Sequence, residues 1–199
     1  MSMKTTKLAP QEIGWLAGIF DGEGSVGISL NRPQRNKTIV AVPSVQMSLS
    51  CKKTIDKIVK MLKLAGITAI GYSYQRRDPT KHLDAHYIRI GRLSDTLLIS
   101  KLLGPHSFTK HEQWRLVEEF TGLRLSGVEI RPDGTVRRGG TAPRKYSKRE
   151  VEIIHELRRL NARGARRITG NDPEWEKRIS DLYKHSEVQF GRERKKHQP

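Results

Sequence analysis

The sequence predicts an α+β protein built in the order helix, two strands, helix, two strands, helices. Three observations predict it. Apolar residues recur at helical spacing in the stretches near 10–21, 52–65 and from 94 onward. Between them, apolar and polar residues alternate with period two in four short runs. The runs come in pairs, joined by polar segments that read as turns. Strand runs joined by turns give an antiparallel sheet whose helices gather on one face.

Each element has its own signal. Pro10 suits the first helical position, because its fixed φ is already helical. Ile13, Leu16, Ala17 and Phe20 make one apolar stripe, and the glycines at 22 and 24 are expected to stop the helix near Asp21-Gly22. In GSVGISLN, Val26, Ile28 and Leu30 alternate with polar or small residues, as in a half-buried strand. The polar, basic NRPQRNK follows as a turn, then a second strand from about Thr38 to Ser50. A helix over 52–65 carries Ile55, Ile58, Val59 and Leu62 on one side and ends at Gly66. Two more strands are predicted, roughly Ile67–Arg77 and Ala85–Arg92, then helices over Ser94–Leu103 and Thr109–Leu123.

Residues 1–125 form the predicted core domain. From Ser126 the texture turns rich in Gly, Pro and Arg, as in a basic loop. Ser147 and Glu150 then make a capping box ahead of a helix over Lys148–Leu160. A last helix is expected from Pro173, with Trp175, Ile179 and Leu182 as its apolar side, and the tail GRERKKHQP reads as disordered. Residues 126–199 thus form a helical extension with a basic tail.

Among 199 residues, 38 are Lys or Arg and 21 are Asp or Glu, a formal charge of +17. That field points to a polyanion: DNA, RNA or an anionic membrane. The membrane is the weakest, since no apolar run nears the roughly 20 residues of a span and no signal peptide is visible. The single cysteine, Cys51, excludes an internal disulfide and a paired-cysteine zinc site, as expected of a reduced, intracellular protein. A sheet covered on one side turns its other face to solvent. The candidates for reading base edges there are Ser29, Asn31, Ser44, Gln46, Ser48, Ser73, Gln75, Arg77 and Arg89, with Arg32, Gln34, Arg35 and Lys37 in the first turn. Tyr72 and Tyr74 read as core residues, and His82, His86, His106 and His111 as surface histidines without the carboxylate or cysteine support a metal site needs.

The segment GWLAGIFDGEGS ends a helix and opens a strand. Gly14, Ala17, Gly18 and Asp21 lie three or four apart on one helix side, and small residues there let two helix backbones approach closely. No second copy of the segment occurs, so a symmetric dimer would supply the second helix. Pairing the helices gathers two Glu23 carboxylates at helix ends already partly negative, which divalent cations would neutralise. Oxygen donors and sparse coordination suggest Mg²⁺, with Mn²⁺ as a substitute.

This segment resembles the motif of the LAGLIDADG homing endonucleases. Leu16, Ala17, Gly18, Asp21 and Gly24 match it; Gly22 stands for Ala and Glu23 for the second acid. The resemblance covers roughly residues 10–125. It implies an αββαββα fold with a saddle-shaped sheet over double-stranded DNA, and a homodimer cutting both strands of a long pseudo-palindromic site, as in intron homing. It also implies a metal-binding acid at Glu23, the Gly22 carbonyl as a second ligand and a supporting basic residue at Lys110. The family's polar residue at the end of the second strand falls near Leu49, with Ser48 or Ser50 as substitutes. Arg144-Lys145 resembles a phosphate-gripping basic loop. Two other readings fit the same residues: an RNA maturase that assists intron splicing, and a non-enzymatic DNA-binding regulator. Either nuclease or regulator places the protein wherever its DNA is, in bacterial or archaeal cytoplasm or in an organelle.

Overall fold

A computed structural model of the chain describes residues 8–31, 39–74, 84–126, 146–162 and 174–182. The first turn (32–38), the expected strand end at Gln75–Arg77, the basic loop with Arg144-Lys145 and the C-terminal tail lie outside these residues. The described elements run α1 (Pro10–Glu23), β1 (Gly24–Asn31), β2 (Val40–Leu49), α2 (Lys52–Leu64), β3 (Ile70–Tyr74), β4 (Ala85–Ile90), α3 (Leu93–Leu103), α4 (His111–Leu125) and α5 (Lys148–Asn161). A single 3-10 turn at Gly104–His106 links α3 to α4. The fold class is the predicted one: helices with a four-stranded antiparallel sheet in the order β1-β2-β4-β3.

Packing divides the chain into two compact units. One holds residues 1–27 and 43–125; the other holds 28–42 and 126–199. The end of β1 and the start of β2 group with the C-terminal residues.

In the first unit the core is built from helix stripes over the sheet. Leu16, Ala17 and Phe20 of α1, Ile58 and Leu62 of α2, Ile99 and Leu103 of α3, and Trp114, Leu116, Val117 and Phe120 of α4 are fully buried. Phe20 meets Trp114 edge to face at 6.1 Å, the arrangement that aromatic quadrupoles favour. α2 ends as its glycine requires. Gly66 takes φ 78°, its N–H donates to the Lys63 carbonyl at 3.0 Å, and the Ile67 N–H donates to the Leu62 carbonyl at 2.9 Å. That is a Schellman cap, and the buried pair Ile67 and Leu62 closes it.

In the second unit α5 begins with the capping box read from the sequence: Ser147 Oγ accepts the Glu150 N–H at 3.2 Å, and the Glu150 carboxylate accepts the Ser147 N–H at 2.6 Å. The Ala41 N–H donates to the Tyr146 hydroxyl at 2.9 Å, tying the start of β2 to the approach to α5. Residues 174–182 are helical, with Ile179 and Leu182 buried as expected. Trp175 lies under the Arg158 guanidinium at 4.2 Å.

One boundary differs from expectation. α1 does not stop at Asp21-Gly22 but runs to Glu23 and ends at Gly24. Gly22 has no φ that a side chain would resist and nothing within 4 Å of where a Cβ would stand. At Gly24 a Cβ would lie 2.5 Å from the Phe20 carbonyl oxygen, so the sharp passage from helix to strand depends on this second glycine.

Candidate functional site

The end of α1 gathers the residues that carry chemistry. Glu23, the last residue of the helix, is exposed, and so is Gly22. Helix ends leave carbonyls without partners and carry partial negative charge. α1 has no basic residue of its own in the last turn. The positive charge comes from Lys110, immediately before α4. Its ammonium donates to the Phe20 carbonyl at 3.1 Å and to the Asp21 carbonyl.

Asp21 faces the same junction. Its Oδ1 accepts from Ser107 Oγ at 2.5 Å and from the Lys110 N–H at 3.3 Å. Its Oδ2 accepts from the N–H groups of Phe108 at 2.6 Å and Thr109 at 3.2 Å. Burial alone would push this carboxyl up; the bonds from Ser107, Phe108, Thr109 and Lys110 outweigh it and hold the group below the ordinary carboxylate value. Asp21 is therefore occupied as a cap for α4, while Glu23 two residues on stays open. Among the described residues no three His, Cys, Asp or Glu side chains cluster. One exposed carboxylate beside helix-end carbonyls is an all-oxygen donor set. It suits a hard cation that keeps several waters and takes its other ligands from a bound phosphate or a second copy.

The outer side of α1 is bare. Nothing lies within 4 Å of where a Cβ would stand on Gly14, Gly18 or Gly22, which follow one another at four-residue intervals. Ala17, expected on this side, is instead fully buried, because the apolar stripe with Leu16 and Phe20 takes it inward. Asp21, also expected there, is drawn to the α4 junction.

The strand registers settle which sheet face is open. β2 pairs with β4 as Gln46↔Arg89 and Ser48↔Tyr87, and β3 pairs with β4 as Ile70↔Arg89 and Tyr72↔Tyr87. Residues directly opposite share a face. One face thus carries Gln46, Ser48, Arg89, Tyr87, Tyr72 and Ile70. The other carries buried Val45, Met47, Ile88 and Ile90. The expected contacts Gln46, Ser48 and Arg89 do lie on the open face and are exposed, as are Ser29 and Asn31 on β1.

Three expectations are corrected here. Ser73 pairs with His86, in the parity of the covered face, and bonds its Nδ1 at 2.8 Å while remaining exposed. Its neighbour in parity, Gly71, faces Val59 of α2, with 3.5 Å from a Cβ position to the Val59 side chain. Ser44 is buried, 7% exposed, in a run with Pro43 and Val45 where the alternation lapses. Tyr72 was expected in the core; it is 50% exposed and stacks on Tyr87 with centroids 5.1 Å apart. Sequence reading missed this aromatic plate. Leu49 shares the covered parity with His86, whereas Ser48 is on the open face and Ser50 is exposed.

By sequence the chain matches no family model and no curated protein. Its fold is similar to solved structures. One is the archaeal intron-encoded homing endonuclease I-Vdi141I complexed with DNA, at 16% identity over 87% of this chain and 96% of that one, with a TM-score of 0.57. Another is the LAGLIDADG homing endonuclease I-SmaMI bound to cleaved DNA, at 14% identity over 90% of this chain and 49% of that one, with a TM-score of 0.54. The match thus spans about half the length of the second protein. At these identities the likeness is one of fold: the chain has the helix-and-sheet architecture of the LAGLIDADG homing endonucleases.

Proposed function

We propose that this chain is a metal-dependent, site-specific DNA endonuclease that works as a homodimer. The observation that carries the reading is the end of α1: a motif helix with a bare glycine side, terminating in an exposed acid, Glu23, with the Lys110 ammonium bound to the Phe20 and Asp21 carbonyls of the same last turn. The fold it shares with DNA-bound homing endonucleases supports the choice of substrate.

Glu23 and the Gly22 carbonyl would hold a divalent cation, Mg²⁺ or Mn²⁺. Such an ion, when bound, activates water and neutralises the charge that develops on phosphate oxygens. The chain's own residues prepare that place. Gly24 turns the backbone sharply, so the Glu23 carboxylate ends a helix and is not buried in the following strand. Lys110 keeps a positive charge at the carbonyl end of α1, where a phosphodiester would approach. The bare side of α1 lets a second copy bring its own Glu23 to the same axis, giving one acid for each DNA strand. Two such subunits imply a long, pseudo-palindromic target. Gln46, Ser48 and Arg89 supply donors and acceptors for base edges, and the Tyr72–Tyr87 plate supplies apolar contact for thymine methyl groups.

The reading is tested by incubating the full chain with a genomic-fragment library, with Mg²⁺ and with EDTA, and sequencing the ends produced. Double-strand ends recurring at one family of related sites, with Mg²⁺ only, are expected. Preferential binding of intron RNA with no DNA ends under any divalent ion would favour the maturase; tight DNA binding without ends would favour a regulator.

A further inference from the structure

A cap needs one or two bonds to satisfy a helix N-terminus. The Asp21 carboxylate receives four, from Ser107 Oγ and from the N–H groups of Phe108, Thr109 and Lys110. The junction is also reciprocal. The carbonyl end of α1 receives the Lys110 ammonium, and the amide end of α4 receives the Asp21 carboxylate, so each terminus is neutralised by a side chain from the other. Lys110 is therefore held twice by one residue: its amide donates to the Asp21 carboxylate and its ammonium to the Asp21 carbonyl. A lysine side chain has a flexible four-carbon stem and normally retains its rotamer freedom in solvent.

We propose that Asp21 is a positioning residue: its clasp on Ser107–Lys110 fixes the Lys110 ammonium against the end of α1, and so sets where that charge stands relative to Glu23. The inference rests on the nuclease reading for its consequence in cleavage, but not for the clasp itself. Displacing a catalytic group by about 1 Å is enough to slow chemistry by orders of magnitude without touching substrate binding.

The test is a double-mutant cycle on the full-length protein, using the cleavage site recovered from the fragment library. Asp21→Asn, Lys110→Met and the double variant are compared for duplex affinity in Ca²⁺ and for single-turnover cleavage in Mg²⁺. Asp21→Asn is expected to keep its affinity within about twofold and to slow cleavage by about tenfold or more. The double variant is expected to be no slower than Lys110→Met alone, since Asp21 acts through Lys110. Losses that multiply instead would overturn the proposal. Should Asp21→Asn fail to fold by circular dichroism, Ser107→Ala removes one bond of the clasp and runs the same cycle. The Lys110 side-chain NMR signal is followed in parallel and needs no DNA. In wild type it is expected to show a restricted ammonium, and in Asp21→Asn a freely rotating one. An unchanged Lys110 signal would overturn the clasp even if the enzyme cuts. A changed signal in a protein that cuts no DNA would uphold the clasp and remove the nuclease reading.

Discussion

A Cβ on residue 24 would meet the Phe20 carbonyl oxygen at 2.5 Å and the Phe20 ring at 2.8 Å, and neither can retreat, because Phe20 is packed edge to face on Trp114. Gly24→Ala is therefore expected to destabilise the fold by about 1–3 kcal/mol, the usual cost of overpacking a fixed site. Thermal unfolding checks this, and a melting temperature at or above wild type would contradict it. Asp95 gives a prediction of the opposite kind. It is 6% exposed, and one carboxylate oxygen has no partner among the described residues. Burial pushes its carboxyl up, and bonds from Thr68 and the charge of Arg92 only partly offset this. An acid with a raised folded-state pKa holds its proton more tightly when folded. Stability then falls as pH rises from about 3.9, the unfolded Asp value, through the raised one. At pH 7 the ionised group is a net cost. Asp95→Asn is expected to be neutral or stabilising at pH 7, with its advantage shrinking at pH 4. Urea unfolding at the two pH values decides, and a variant weaker at pH 7 than at pH 4 refutes it.

At the scale of elements, local chemistry was legible and facing was not. Pro10, Gly66 and the Ser147–Glu150 box each mark a helix terminus through a bond or a dihedral that neighbouring residues alone determine. Period-two alternation says which residues share a sheet face, but only the packing of α2 says which face is covered. That is why Ser73 falls in the parity of the covered face and Tyr72 on the open one. The clasp was less legible still: Asp21 and Lys110 are 89 residues apart, and no local pattern joins them. Capping by Asp21 was foreseeable; that it would cap α4 was not. The α1 surface carries the prediction proper to this scale. Gly18 meets nothing within 4 Å, so Gly18→Leu has room in one subunit and gains up to about 1 kcal/mol of helix propensity. The same side chain would hold two α1 helices apart. Wild type is expected to sediment as a dimer, and the variant as a monomer with an equal or higher melting temperature. A Gly18→Leu dimer as tight as wild type would place the interface elsewhere.

For the whole molecule, net charge carries the prediction. A formal +17 favours a polyanion, and no helix among the described residues is long and apolar enough to cross a membrane. If the partner is duplex DNA gripped through roughly 6–10 phosphates, affinity should fall about 10³–10⁵-fold between 50 and 200 mM salt. Filter binding over that range measures the slope; a salt-independent affinity would exclude phosphate contacts as the main source of binding. The motif read from the sequence ended the helix at Asp21-Gly22, before the acid; the helix runs on through Glu23, because Gly24 and not Gly22 turns the chain. The bonds add what the sequence does not show: the Asp21 carboxylate holds the segment that leads into α4, while Glu23 is exposed. The most direct measurement is single-turnover cleavage of the recovered site by Glu23→Gln beside wild type, with duplex affinity measured on the same samples. Glu23→Gln is expected to bind the site as tightly as wild type and to leave it uncut in Mg²⁺. Cleavage by Glu23→Gln at the wild-type rate would contradict Glu23 as the metal-holding acid, and with it the place assigned to the chemistry.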